Sequence, residues 1–215
     1  MAVSDPGEDG DELVRAACAG DEGAFRVLYR SVAPGLLRYL RVLVGEDAED
    51  VASETWLQVA RDVARFSGDL EGFRGWVATI GRHRALDHLR RVRRRPVSAV
   101  SVEDAGLDWA GWPDAGESAM ETLGTEAALE LIASLPRDQA EAVLLRVVLG
   151  LDATAAGRVL GKRAGAVRTA AYRGLRTLAG RLSQGASETS ANIAGKPSRE
   201  RGVTHLGAAA LREVR

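Results

Sequence analysis

The stretch DATAAGRVLGKRAGAVRTAAYRGLRTLAGRL, residues 152–182, decides how this chain is read. Asp152 is placed to cap a short helix ending at Leu160, because an aspartate oxygen accepts from the unpaired N–H groups of a first helical turn. Gly161-Lys162-Arg163 makes a tight turn. A longer helix is expected from about Ala164 to Leu182, with Val167, Ala171, Leu175, Leu178 and Leu182 turned inward at helical spacing. Ala156 and Gly157 are small enough to let the two helices cross closely. This is the layout of a helix-turn-helix. The outer face of its second helix presents Arg168, Thr169, Tyr172, Arg173 and Arg176. The early residues of that face can reach base edges, and the later arginines can hold phosphates. The plainer alternative is a helical hairpin with an exposed basic side.

Upstream, the apolar spacing is helical throughout, and no alternating β-branched run argues for a strand. A first helix is expected over about 11–19. A second starts at Asp21 and carries Phe25, Leu28, Tyr29, Val32, Leu36 and Leu40 on one face. Pro34 inside it predicts a kink or a break, since proline lacks the N–H of the ladder. A third follows Glu46 and Asp47 with an apolar stripe of Ala52, Trp56, Val59, Val63 and Phe66. After a loop at 67–69 comes a fourth, from about Leu70 through Phe73, Trp76, Val77, Ile80 and Leu89 to an arginine block that Pro96 stops. Residues 97–118 lose the apolar period and gain Gly, Pro, Asp and Ser. They read as a flexible linker, with Trp109 and Trp112 either docking points or packed on a neighbouring domain. A helix over about 119–134 and another opened by Pro136, carrying Val143, Leu144, Val147 and Val148, lead back to the helix-turn-helix. Beyond Ser183 a flexible tail is expected, in which 206–214 could form a short helix on a partner.

The 29 basic and 30 acidic residues give a net charge of −1, which conceals strong segregation. Residues 82–95 hold seven arginines against Asp87 alone. From 102 to 130 every charged residue is acidic, and from 158 to 181 every one is basic. Two basic blocks parted by an acidic spacer suggest two surfaces for polyanions, the alternative for each being a solvated helix face. A single cysteine, Cys18, excludes an intramolecular disulfide framework and a cysteine-rich zinc site. The acidic N-terminus is unlike a signal peptide, and the apolar stretch 36–44 is short and carries Arg38 and Arg41. A cytoplasmic protein without membrane insertion is expected. No acid–base or metal-ligating constellation is legible, so no catalysis, metal or cofactor is expected.

Three stretches carry a family resemblance: DAEDVASETWLQVARDVARF (47–66), FRGWVATIGRHRALDHLRRVRRRP (73–96) and LPRDQAEAVLLRVVLGL (135–151), the last leading into the helix-turn-helix. In order and spacing, with the acidic linker between, the chain resembles the extracytoplasmic-function (ECF) sigma factors of bacterial RNA polymerase up to about Leu182. The resemblance implies an all-α protein of two small helical domains joined by a flexible acidic linker, the second ending in the helix-turn-helix. It places a region 2 domain over 1–96, the linker over 97–118, a region 4 domain over 119–183 and the tail over 184–215.

By the same resemblance the first stretch docks on the β′ clamp helices of core RNA polymerase through Asp50, Ser53, Glu54, Leu57 and Gln58, a polar face around one exposed leucine. The second recognises and helps melt the −10 promoter element, with the loop 66–72 capturing an unstacked base. Arg74, Arg82, His83, Arg84, Arg90 and Arg91 would face that DNA, Trp76 being read as core and His88 as a polar surface residue. His83 stands where the family often has asparagine. The third module reads the −35 element through Arg168, Thr169 and Arg173, with Lys162, Arg163 and Arg176 on phosphates, and meets the polymerase β flap. Departures at Ala155, Ala156, Arg163 and Ala170 bear on which promoter sequence is read. The linker is expected to run near the RNA exit channel. An anti-sigma factor is a further partner class implied by the family, with no residue here identifying one. The competing reading is a stand-alone helix-turn-helix repressor or activator.

Overall fold

The computed structural model of the protein describes residues 6–94 and 119–194. The expected linker with Trp109 and Trp112 and the 206–214 stretch lie outside the described residues. Eight helices and no strand are present among those described: α1 (Pro6–Cys18), α2 (Glu22–Val44), α3 (Ala48–Asp62), α4 (Leu70–Arg94), α5 (Ala119–Ala133), α6 (Arg137–Val143), α7 (Ala153–Leu160) and α8 (Ala164–Ala194). A wide π turn, Leu144–Val148, follows α6. The helices up to Ala179 pack as one unit, and the described residues from Gly180 to Ala194 belong to a second.

Local chemistry sets the helix ends. The Asp21 carboxylate accepts from the Ala24 N–H at 3.0 Å and starts α2. Gly45 and Gly161 adopt left-handed φ near 65° and stop α2 and α7, a conformation that costs glycine no Cβ clash. Asp69 accepts from the Gly72 N–H at 2.6 Å and begins α4. Replacing Asp21 by alanine leaves that N–H of the first turn without its partner. We expect Asp21→Ala to cost about 1 kcal/mol in urea unfolding.

Helix α2 runs through Pro34 without a break. Its neighbours Val32, Leu36, Tyr39 and Leu40 are fully buried, and tertiary packing of that face outweighs the lost ladder bond. The core of the first four helices comprises Leu28, Leu36, Leu40, Val51, Val59, Phe73 and Val77. The buried stripe of α3 is rotated from the expected one. Val51 and Thr55 are buried, whereas Ala52 and Val63 are only half-buried, because α4 seats on the Val51–Thr55–Val59 side. The Thr55 hydroxyl donates to the Val51 carbonyl at 2.7 Å, which lets a polar residue sit there. On α4, Gly75, Ala78, Gly81 and Ala85 form a buried small-residue stripe. A Cβ at Gly81 would lie 2.9 Å from Leu36 Cδ1, so glycine sets how closely α2 and α4 approach.

Helix α8 extends to Ala194, beyond its expected end at Leu182. The flexible tail expected over 184–215 is therefore helical in its first part. Leu175 and Leu182, expected inward, are exposed. The inward face of α8 runs instead through Val167, Ala171, Gly174 and the half-buried Leu178. A Cβ at Gly174 would lie 2.8 Å from Val143 Cγ2, so α8 rests on α6 at a glycine, which turns Leu175 out. Val147 is also exposed, because the π turn swings it outward.

Candidate nucleic-acid interface

The helix-turn-helix is built as its sequence requires. Asp152 accepts from the Ala155 N–H at 2.6 Å, and that backbone bond holds its carboxyl below the usual carboxylate range. A depressed folded-state value means that this cap stabilises α7 above the ordinary carboxylate pKa. The contribution is lost as pH falls through the depressed value. Ala156 is fully buried, and a Cβ on Gly157 would lie 2.6 Å from the Lys162 carbonyl oxygen. Glycine at 157 therefore lets the turn fold back onto α7.

Beyond the turn, α8 presents Arg168, Thr169, Tyr172, Arg173 and Arg176 on one exposed face, at the spacing of successive helical turns. Tyr172 is 66% exposed, an aromatic ring offered among cations. The Thr169 hydroxyl donates to the Gly165 carbonyl of its own helix at 3.0 Å, leaving its oxygen able to accept. Arg163 is exposed at the turn. Lys162 is engaged within the protein: its ammonium lies 2.6 Å from Asp138 on α6 and holds that carboxyl below its ordinary range.

The second basic surface lies on α4. His83, Arg90 and Arg91 are exposed, and Arg93 and Arg94 continue the block. Arg90 pairs with Asp87 one turn back at 2.9 Å. Arg84 donates to Gln58 of α3 and lies 3.7 Å from Glu54, which also faces Arg91 at 3.8 Å. His88 is bonded to Asp47 at 2.9 Å. The α3 face expected to bind a partner and the α4 face expected to bind DNA thus share an edge, where acids of one meet arginines of the other. On α3, Asp50 and Ser53 are exposed, Glu54 and Gln58 are half-buried in these pairings, and Leu57 is 58% exposed.

At the start of α4 the loop expected to capture a base is held from two sides. Asp11 of α1 accepts from the Leu70 N–H at 2.9 Å, and Cys18 lies 3.5 Å from the Phe66 carbonyl. The Phe66 ring stacks on Trp76 at 5.1 Å between centroids and meets the Phe73 edge at 5.7 Å. Trp76 is half-buried, one wall of an aromatic cluster under the loop.

Arg82, expected to face the DNA, donates from its Nε to Glu141 Oε2 of α6 at 2.7 Å. Burial pulls the guanidinium pKa down, and the hydrogen bond and charge of Glu141 outweigh it, so the net shift is upward. Arg137 takes the other carboxylate oxygen of Glu141, at 2.8 Å. The sequence reading missed Glu141, Arg137 and Tyr39. Its one available signal was an acid standing inside the apolar run Ala140 to Leu145, where a charge survives only if paired. Arg74 is half-buried, its guanidinium 3.8 Å from where a Cβ on Gly150 would stand. Among the described residues no cluster of three His, Cys, Asp or Glu side chains is placed to hold a metal ion. No described helix is long and apolar enough to cross a membrane.

Comparison with known proteins matches residues 28–95 to Sigma-70 region 2 and residues 125–178 to Sigma-70 region 4. The ECF RNA polymerase sigma factor BldN of Streptomyces coelicolor is 36% identical over 171 residues, covering 78% of this chain and 64% of its own length. The chain thus spans just under two thirds of that relative. The ECF RNA polymerase sigma factor SigD of Mycobacterium tuberculosis is 32% identical over 178 residues, covering 80% of this chain and 83% of SigD. Among solved structures, CnrH in complex with the cytosolic domain of CnrY matches at a TM-score of 0.55 and 20% identity, over 81% of this chain and 97% of that one. RpoE in complex with the anti-sigma factor NepR from Bartonella quintana matches at 0.53 and 19%, over 74% and 96%. These two structural likenesses bear on the fold.

Proposed function

Because this chain belongs to the ECF sigma factors of RNA polymerase, we propose that it binds core polymerase through α3 and directs it to promoters through two basic faces, contributing no catalysis of its own. The observation that carries this reading is the pairing of two matched regions in family order, each ending in an exposed arginine-rich helix face. A stand-alone helix-turn-helix regulator would have no use for a region 2 match over 28–95, and that reading is not favoured.

In this proposal Leu57 is the apolar centre of the polymerase-docking face, ringed by Asp50, Ser53, Glu54 and Gln58. Such a face suits a partner interface, where a desolvated apolar centre supplies affinity and polar neighbours fix orientation. On α4, Arg74, His83, Arg84, Arg90 and Arg91 line the path of the −10 element, with Arg82 joining when it is released from Glu141 of α6. The aromatic cluster of Phe66, Phe73 and Trp76 supports the base-capturing loop from beneath. On α8, Arg168, Thr169 and Arg173 reach base edges of the −35 element, while Arg163 and Arg176 hold phosphates, joined by Lys162 of the turn when it leaves Asp138. Arginine suits both tasks, since its planar fork matches guanine edges and phosphate oxygens alike. The β flap and an anti-sigma factor complete the proposed partners, and the site of action is where core polymerase works, in the cytoplasm.

The test is transcription reconstituted from the purified chain and core polymerase, with start sites mapped across a genome. Defined starts sharing two upstream elements are expected; random initiation overturns the proposal. In that assay Arg173→Ala should weaken use of the favoured −35 sequence by about 1–3 kcal/mol if Arg173 reads a base. An equal loss on every −35 sequence reassigns Arg173 to a phosphate.

A further inference from the structure

We infer that Asp62, at the end of α3, is a positioning residue for −10 recognition: it fixes the amide of Gln58, and Gln58 in turn fixes the guanidinium of Arg84 for the DNA. The inference rests on the sigma-factor reading above, in which Arg84 lines the path of the −10 element, and adds a residue that belongs to neither the docking face nor the DNA face. Gln58 Nε2 donates to Asp62 Oδ2 at 2.8 Å, one turn along α3. A carboxylate only accepts, so it takes the NH2 of the amide and leaves the amide oxygen directed away from it. That oxygen accepts from Arg84 Nη2 across the α3–α4 contact. Turned over, the amide would set its NH2 against a guanidinium, which only donates. The two ends of the relay therefore permit one orientation of the amide between them.

Glu54, one turn before Gln58, faces the other side of the same guanidinium. Its Oε2 lies 3.7 Å from Arg84 Nη1 and 3.8 Å from Arg91 Nη2. The two terminal nitrogens of Arg84 are thus met by two consecutive turns of α3, and the plane of the group is set. Arginine carries five N–H donors, so donors remain for a phosphate or a base after α3 has taken its share. A side chain already held in its bound orientation loses less freedom on binding, which is how preorganisation raises affinity. Arg90, a neighbouring −10 candidate, by contrast pairs within its own helix, with Asp87 at 2.9 Å.

Asp62 adds little to stability where it stands. It is the last residue of α3, followed by the 3₁₀ turn Val63–Arg65. The carbonyl groups of a helix C-terminus carry partial negative charge, which opposes a carboxylate there. Its one ion pair among the described residues is with Arg65 at 3.8 Å, and that arginine side chain is 85% exposed. A pair so open to water contributes little, and so does a Gln–Asp bond one turn apart on a helix surface. Alanine, the best helix former, should therefore be tolerated at 62, with a thermal midpoint within about 2 °C of wild type. A merely structural Asp62 would lose stability and DNA binding together; a positioning Asp62 loses DNA binding alone.

Asp62→Ala is made in the full-length chain, alone and together with Arg84→Ala. In the free chain, ¹⁵N relaxation of the Arg84 side-chain Nε–H should show a guanidinium that moves more freely in Asp62→Ala than in wild type. In holoenzyme reconstituted with core polymerase, affinity for a promoter fragment taken from the start-site map should fall roughly 3- to 10-fold, with core affinity unchanged. Added to Arg84→Ala, the same substitution should cost nothing further, since the two residues act through one contact. Asp62→Asn keeps an accepting oxygen and should recover most of the loss. An Arg84 side chain equally ordered with and without Asp62, a loss of the same size in the Arg84→Ala background, or a loss matched by a fall in thermal stability each overturns the inference. Wild-type holoenzyme that gives no defined starts sinks the sigma-factor reading and the −10 role with it, whereas defined starts with undiminished promoter affinity in Asp62→Ala sink the role of Asp62 alone.

Discussion

Leu57→Arg should weaken association with core polymerase by roughly 30- to 700-fold while leaving the protein folded. Leu57 is 58% exposed on α3, so arginine meets no steric obstacle in the free chain. Leucine and arginine have nearly equal helix propensity, and an exposed exchange of this kind stays within about 0.5 kcal/mol of neutral. In the proposed docked state the same position is the apolar centre of the contact. A guanidinium there loses the apolar contact and must be desolvated as well. A central hot-spot loss of about 2–4 kcal/mol weakens binding by roughly 30- to 700-fold. Fluorescence anisotropy with labelled chain gives the affinity, and thermal unfolding gives the control. Wild-type affinity in the variant would mean that α3 does not carry the docking face. Loss of polymerase binding alongside intact DNA binding would separate this protein from a regulator that works without polymerase.

Gly157→Ala should remove −35 recognition by disturbing the helix-turn-helix from within. The added methyl would stand 2.6 Å from the Lys162 carbonyl oxygen and 3.5 Å from the Ala164 nitrogen. Both are backbone atoms, so no side-chain rotation relieves the clash and the turn itself must move. Overpacking of this kind costs about 1–3 kcal/mol. The displacement also reorients α8 relative to α7, and the base-edge contacts proposed for Arg168 and Arg173 depend on that angle. Transcription should therefore become insensitive to the −35 sequence. Gly180→Ala is the matched control, since a Cβ there meets nothing within 4 Å. In an exposed helix it should stabilise by up to about 1 kcal/mol through propensity alone. If Gly157→Ala retains full −35 discrimination, the close crossing is not needed for reading.

The two predictions probe features of different legibility. Gly157 was readable in advance: a small residue four positions before a Gly-Lys-Arg turn implies a close crossing, and the structure has one. Leu57 was also readable, as an apolar residue on the polar side of an amphipathic helix. The Asp21 and Asp152 caps, the glycine stops at 45 and 161 and the helical order were legible for the same reason. Each arises within a few residues along the chain, through hydrogen bonds to N2 or N3, left-handed glycine turns and a repeat of 3.6. What failed lay at helix contacts. Leu175 and Val147 share the spacing of core residues, yet Gly174 and the π turn, respectively, rotate them outward. Val51 and Thr55 replaced Ala52 and Val63 inward on α3, because the direction of α4's approach selects among adjoining stripes.

An all-helical chain with two basic modules, in the order of an ECF sigma factor, was determined by the sequence alone. Helix periodicity, caps and charge runs are local properties and survive any arrangement of the helices. Which arginines stand open was decided only by tertiary structure. Arg82 and Arg84 look alike in a run of cations, yet Arg82 finds Glu141 fifty-nine residues away and Arg84 finds Gln58 on α3. A charge pattern records that a cation exists; whether it meets water, phosphate or a buried carboxylate depends on which helix is packed across from it.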